Sequence, residues 1–215
     1  MLIKTVDLGY ETLSNCYLLI DEETSNAAVV DPGFYTENLE KAIKENNITV
    51  THILLTHGHF DHILGVAELK RATGAKVYIH KNDAECLKSK LANLMIRFRV
   101  EAPFTPSEAD EFVDEGSIIK IGNSAVKVLH TPGHSGGSVC YVDEENRSII
   151  SGDTLFLMTA GRTDTPDGSD EQLKNSLFRL IDLDGDYDVF PGHGGATALS
   201  NERVRNIIIR RLKRN

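Results

Sequence analysis

The residues with the most chemical potential lie in one short stretch, Thr56-His57-Gly58-His59-Phe60-Asp61-His62. Three imidazoles and a carboxylate within seven residues are metal-ligand types, and such nitrogen and oxygen donors suit zinc, with iron and manganese also compatible. The spacing suits a loop leaving a strand. In extended backbone the side chains repeat every two residues, so His57 and His59 can point the same way. Asp61 and His62, at the start of a following helix, can face a second point nearby. One segment thereby offers two donors to each of two ions. Three further candidates share a setting: His134 in TPGH, Asp153 in SGD and His193 in PGHG each follow a β-rich run. Small residues there let the backbone turn sharply and carry the side chain to a sheet edge. The other histidines, His52, His80 and His130, read as structural, His130 being the one nearest a ligand loop.

Cysteine does not enter this chemistry. The three cysteines, Cys16, Cys86 and Cys140, show no CxxC spacing, which argues against both a thiolate site and a disulfide framework. Cys16 and Cys140 sit in the apolar runs NCYLLI and SVCYV and read as small buried hydrophobes. Any metal is held by nitrogen and oxygen.

Elements that could carry these loops follow from period and punctuation. Strands are expected at 2–8, 16–20 and 26–30, the last ending in the turn signal Asp31-Pro32-Gly33. Thr36 caps a helix whose apolar face is Leu39, Ala42 and Ile43. The β-rich run ITVTHILL leads into His57, residues 62–72 read as a helix stopped by Gly74, and KVYIH as a strand. No clean period emerges over 84–110. A hairpin then joins IIKI to AVKVLH through Gly122-Asn123, and SVCYV with RSIIS forms a second. Ser169 and Gln172 have capping-box spacing before a helix bearing Leu173, Leu177, Leu180 and Ile181. A short strand DVF precedes His193, and a last helix begins near Ser200. Strands then helices, twice over and with hairpins, imply an α+β chain: an αββα sandwich of two mixed β-sheets flanked by helices. No linker divides the halves, so residues 1–215 are expected to be one domain.

Composition bounds the partners. The net charge is −9, and acidic groups run along the chain, which argues against a nucleic-acid binder. The basic cluster Arg203, Arg205, Arg210, Arg211, Lys213 and Arg214 reads as cations placed near a helix C-terminus. No apolar run approaches a membrane span, and the N-terminus lacks a signal-like stretch, so a cytoplasmic protein without membrane contact is expected. The expected partner is a small-molecule substrate; the oligomeric state is left open.

The motif THGHFDH with His134, Asp153 and His193 resembles the metallo-β-lactamase superfamily, over nearly the whole chain from Val30-Asp31-Pro32-Gly33 onward. The segments TPGHSGGSVCY, SGDTLF, GRTD and FPGHGGAT are similar to its glyoxalase II-type, hydroxyacylglutathione hydrolase branch in a short form. The resemblance implies that His57, His59 and His134 hold one metal and that Asp61, His62 and His193 hold a second. It further implies that Asp153 bridges the two and that Asp31 orients the ligand loops from behind. Asp61 and Asp153 are then the catalytic candidates, flanking a metal-bridging hydroxide that attacks a thioester carbonyl. A thiolate with a pKa of about 8.5 departs without strong acid assistance. Full-length glyoxalase II carries a C-terminal helical domain supplying much of its glutathione surface, and this chain stops about one helix after His193, so the thiol is left open.

Two other chemistries use the same scaffold: a persulfide dioxygenase with a single iron, and lactone or β-lactam hydrolysis. The intact second ligand set favours the dinuclear thioester hydrolase. Arg162 is a candidate for holding an anionic substrate group, with a structural salt bridge as the alternative. The stretch 84–110 is expected to form a substrate-facing cap or to pack beneath a helix.

Overall fold

The computed structural model describes residues 1–9 and 14–213. Strands β1 (Leu2–Val6), β2 (Cys16–Ile20), β3 (Asn26–Val30), β4 (Thr49–Leu54), β5 (Lys76–His80) and β6 (Glu111–Val113) form a six-stranded sheet in that order. Its first three strands are antiparallel, and β3 through β6 run parallel. The second sheet begins with β7 (Ile118–Ile121), β8 (Ser124–His130), β9 (Val139–Asp143) and β10 (Ser148–Gly152). A two-stranded ribbon of β11 (Leu155–Phe156) and β12 (Thr159–Ala160) intervenes. Then β13 (Asp188–Pro191) joins the second sheet parallel to β10, and β14 (Thr197–Ala198) closes its edge. The helices are α1 (Glu37–Glu45), α2 (Phe60–Ile63), α3 (Val66–Thr73), α4 (Met95–Phe98), α5 (Asp170–Ile181), α6 (Leu199–Arg205) and α7 (Ile207–Leu212).

Layering follows from the two-residue period of the central strands. In β2 all five residues are buried. Cys16, Leu18 and Ile20 pack with Leu39 of α1 and with Val66 and Leu69 of α3. Tyr17 and Leu19 face the other way, sharing a cluster with Val128, Tyr141 and Ile150 of the second sheet. The outer face of that second sheet, with Cys140, Val142 and Ile149, is covered by Leu173, Leu177 and Leu180 of α5, Leu199 of α6 and Ile209 of α7. The order is helix, sheet, sheet, helix, and both sheets are mixed, as the sequence implies. All three cysteines are buried and free. Among the described residues no helix is long and apolar enough to cross a membrane.

The helix caps stand where the sequence puts them. Thr36 Oγ1 accepts the Leu39 N–H at 3.3 Å, and Ser169 Oγ accepts that of Gln172 at 3.3 Å. Four differences have physical causes. The helix expected over 62–72 is two helices, because Gly65 lies under the 32–35 turn: its N–H donates to the Pro32 carbonyl at 2.9 Å. A Cβ there would stand 2.5 Å from the Phe34 and Tyr35 backbone. The first strand ends at Val6, and Leu8 is buried beyond it. The last helix breaks at Asn206, whose side chain caps α7. Over 84–110, α4 is flanked by left-handed Leu94 (φ 71°) and Arg99 (φ 53°), which no helical or strand period could reveal. In the basic cluster, Arg203 donates to the Ile181, Leu183 and Gly185 carbonyls at the end of α5. Arg214 lies outside the described residues.

Candidate metal centre

Five loops leave the C-terminal ends of strands and meet at one rim of the sandwich. Asp31 follows β3, and Thr56 through His62 follow β4. His134, Asp153 and His193 follow β8, β10 and β13. These close approaches restrict the backbone. A Cβ on Gly192 would lie 2.1 Å from Asp153 Oδ1 and 2.8 Å from His62 Cε1, so only glycine lets the His193 loop press against the cluster.

The structure brings all seven sequence candidates together. Donor atoms of His57, His59 and His134 lie within 4.8 Å of one another, and so do those of Asp61, His62 and His193. Asp153 reaches both groups. Its Oδ1 is 3.5 Å from His62 Nε2, and its Oδ2 is 3.4 Å from both His134 Nε2 and His193 Nε2.

Hydrogen bonds behind the rings fix which nitrogen faces inward. Thr56 Oγ1 donates to Asp31 Oδ2 at 2.6 Å and so accepts from His57 Nδ1 at 3.1 Å. His62 Nδ1 donates to the same carboxylate oxygen at 2.9 Å, and His134 Nδ1 donates to the Arg162 carbonyl at 2.8 Å. Each of these three rings therefore turns its Nε2 toward the cluster. His59 Nδ1 stands 2.8 Å from His134 Nε2, and His62 Nε2 stands 3.3 Å from His193 Nε2. Among the described residues, the buried side-chain atoms without a hydrogen-bond partner are His57 Nε2, His59 Nε2 and Asp153 Oδ1 in the cluster, and Asp83 Oδ1 behind it. Orphaned buried acceptors are costly, and inward lone pairs converging with carboxylates are what a bound cation satisfies. The donor set fits divalent metal ions.

The two triads differ in charge. Burial, with His62, His59 and His134 nearby, holds His57 well below the ordinary imidazole range. Burial and His134 bring His59 down to about 4. At His62 burial also works downward, but Asp61, Asp153 and Asp31 outweigh it and raise the ring to about 9. His193 is likewise lifted against burial, by hydrogen bonds to Asp153 and Asp61, to about 11. Burial pushes Asp61 and Asp153 up, yet His62 and His193 hold both carboxyls below the usual range. In one triad His57 and His59 are held neutral, and the other is rich in carboxylate and gathers protons that a cation would displace.

The cluster floors a cavity of about 430 Å³. Its walls include Phe60, Leu94, Phe98 and Phe156, so the 84–110 stretch contributes both cap and core: Leu94 and Phe98 face the cavity while Leu87 and Met95 are buried. Arg162 lines the mouth with its guanidinium 5.3 Å from the Phe98 ring, and it forms a two-pronged ion pair with Asp164 at 2.6 Å. The other histidines are committed locally. His52 is 2.8 Å from Thr51 Oγ1 and packs on Tyr78. His80 and His130 stack 4.2 Å apart next to Asp114. His80 Nδ1 accepts the Asn82 N–H at 3.2 Å, and His130 Nε2 donates to the Gly136 carbonyl at 3.1 Å.

The sequence did not single out Thr56, the Arg162 carbonyl or the aromatic walls as parts of the site. For Thr56 a signal existed, its place directly before His57. For the walls, the expected cap over 84–110 holds Leu94 and Phe98 without naming them, and Phe60 and Phe156 carried no signal.

A profile of the Metallo-beta-lactamase superfamily matches residues 9–193. The chain belongs to the metallo-beta-lactamase superfamily. This superfamily comprises hydrolytic metalloenzymes. Within it the chain is 34% identical over 196 residues to the hydroxyacylglutathione hydrolase GloC of Haemophilus influenzae, covering 89% of this chain and 91% of that protein. Among solved structures it is similar to the B3 metallo-beta-lactamase BLEG-1, with TM-score 0.90, 32% identity and coverage of 97% and 99% of the two chains. It is also similar to TTHA1623 in a di-iron-bound form, with TM-score 0.83, 34% identity and coverage of 94% and 98%. Two mixed sheets flanked by helices are the metallo-beta-lactamase fold.

Proposed function

We propose that this metallo-beta-lactamase superfamily member is a dinuclear hydrolase that cleaves a thioester. His57, His59 and His134 would hold one ion and Asp61, His62 and His193 the other, with Asp153 within reach of both. Zinc is the ion we assign, and this nitrogen and oxygen set also accommodates iron or manganese. One observation carries the reading: two complete triads of inward-facing donors share a single buried carboxylate. A pair of divalent cations bound there supplies a water of near-neutral pKa and a Lewis acid for a carbonyl oxygen. The chain's own residues do the rest. Asp31, Thr56 and the Arg162 carbonyl hold the imidazole hydrogens on the outer side. Asp61 and Asp153, held ionised, offset part of the positive charge that two cations bring. Phe60, Leu94, Phe98 and Phe156 keep bulk water from the carbonyl, which strengthens every electrostatic interaction inside. No strong acid is needed for a thiolate to leave. The likeness to GloC supports the thioester, whereas the Arg162 guanidinium at the mouth is already matched by Asp164.

Elemental analysis of protein purified without added metal tests the centre, and two ions per chain is the expected ratio. A panel of hydroxyacylglutathione thioesters, lactones and β-lactams tests the substrate, with the largest kcat/KM expected for a thioester. Asp153→Ala should bring turnover down by about 100-fold or more and lower the metal content. A single iron per chain with oxygen uptake on glutathione persulfide would overturn the reading, as would a lactone or β-lactam leading the panel.

A further inference from the structure

One buried acid behind the centre stands outside the chemistry above. Asp83 is 1% exposed and lies in the short 3₁₀ segment Lys81–Leu87 that follows β5. Among the described residues it makes no ion pair, and burial pushes its carboxyl up. A buried carboxylate without a cation is unfavourable unless backbone and hydroxyl donors compensate. Here the donors come from two ligand loops. Asp83 Oδ2 accepts the Gly58 N–H at 2.9 Å, at the residue between His57 and His59. The same oxygen accepts the Ser135 hydroxyl at 2.7 Å, at the residue after His134. Ser135 is held in turn by Ser138, with the two Oγ atoms 2.8 Å apart. Oδ1 is buried without a hydrogen-bond partner and lies against Gly137, where a Cβ would stand only 2.3 Å away.

The carboxylate thus ties together the two loops that carry all three imidazoles of one triad, and it touches none of the other triad. Asp31 has the complementary place. It holds His62 directly and His57 through Thr56. We propose that Asp83 is a positioning residue for the ion held by His57, His59 and His134, fixing the distance between the 57–59 turn and the 134 loop. The inference rests on the assignment of that triad to one ion and not on the identity of the substrate.

The test is a titration of metal-stripped protein with Co²⁺ alone, read by visible absorption and chelator competition, with circular dichroism confirming the fold. In Asp83→Ala one of the two Co²⁺ equivalents should weaken about 10- to 100-fold, with a changed d–d spectrum, while the other keeps its affinity. Asp83→Asn should recover most of the loss, because an amide oxygen in the place of Oδ2 can accept both the Gly58 N–H and the Ser135 hydroxyl. Ser135→Ala cuts the tether on one side only and should weaken the same equivalent by a smaller factor. If Asp83→Ala fails to fold, the Ser135→Ala titration decides. Wild-type affinity for both equivalents in a folded Asp83→Ala, or in Ser135→Ala, would overturn the role of Asp83. That result would leave the thioester panel untouched, and a panel led by another substrate would leave this titration untouched.

Discussion

The rings of His57, His62 and His134 are each set by a partner standing behind them, and Thr56 is the most exacting of these. It is buried, its N–H and hydroxyl both go to Asp31, and its oxygen receives the His57 ring hydrogen. Thr56→Val keeps the shape but removes the hydroxyl, leaving His57 Nδ1 and one Asp31 lone pair without partners. Metal affinity should fall about 10- to 100-fold, and Thr56→Ser should retain it; isothermal titration with zinc would show the contrast. The seven donors were legible in the sequence because their types are rare and their settings repeat: a β-rich run, small residues, then His or Asp. Asp83 was not. Its bond to Gly58 spans 25 residues and starts in a stretch where neither period applies. A hydroxyl such as Thr56 also carries no mark of its role until the acceptor behind it is known.

Among the elements, the junction of α6 and α7 links the last helices to the cavity wall. Asn206 Oδ1 accepts the Ile208 and Ile209 N–H groups at 3.0 and 3.2 Å, and its Nδ2 donates to Glu202 at 2.7 Å and to the Thr159 carbonyl at 2.9 Å. Asn206 is fully buried, so Asn206→Ala removes a cap and strands buried partners. The cost should be about 2–4 kcal/mol, read from chemical denaturation, with metal stoichiometry unchanged. Long elements were legible: α1 and α5 show their caps and apolar stripes, and β2 and β9 read as unbroken apolar runs. The strands β6, β11, β12 and β14 were not, since two or three residues are too few to display an alternation. Their pairing is imposed by neighbours rather than by their own composition. The break at Gly65 was hidden for a similar reason, because a glycine inside a helical pattern does not say whether another segment crosses it.

For the molecule as a whole, pH and metal act on the same balance. His62 and His193 rise from 6.5 to about 9 and about 11 in the folded chain. A group raised on folding contributes stability that is full below its unfolded pKa and is lost as pH climbs through the folded value. Metal-stripped protein should therefore lose that contribution from pH 6.5 upward, through about 9 and then about 11. Bound cations displace these protons, so apparent affinity should rise about tenfold per pH unit for each proton released. Melting temperatures of stripped and loaded protein between pH 6.5 and 8.5 check this: the gap should widen with pH, and a constant gap would count against it.

The donors of each triad come from opposite halves of the chain. His57 and His59 follow a strand of one sheet, whereas His134 follows a strand of the other; Asp61 and His62 stand in the same relation to His193. A nascent chain with only its first sheet made can assemble neither triad. Hydrolytic power would then be withheld during synthesis and appear late, once both layers have docked, and the cations would act as rivets across the seam.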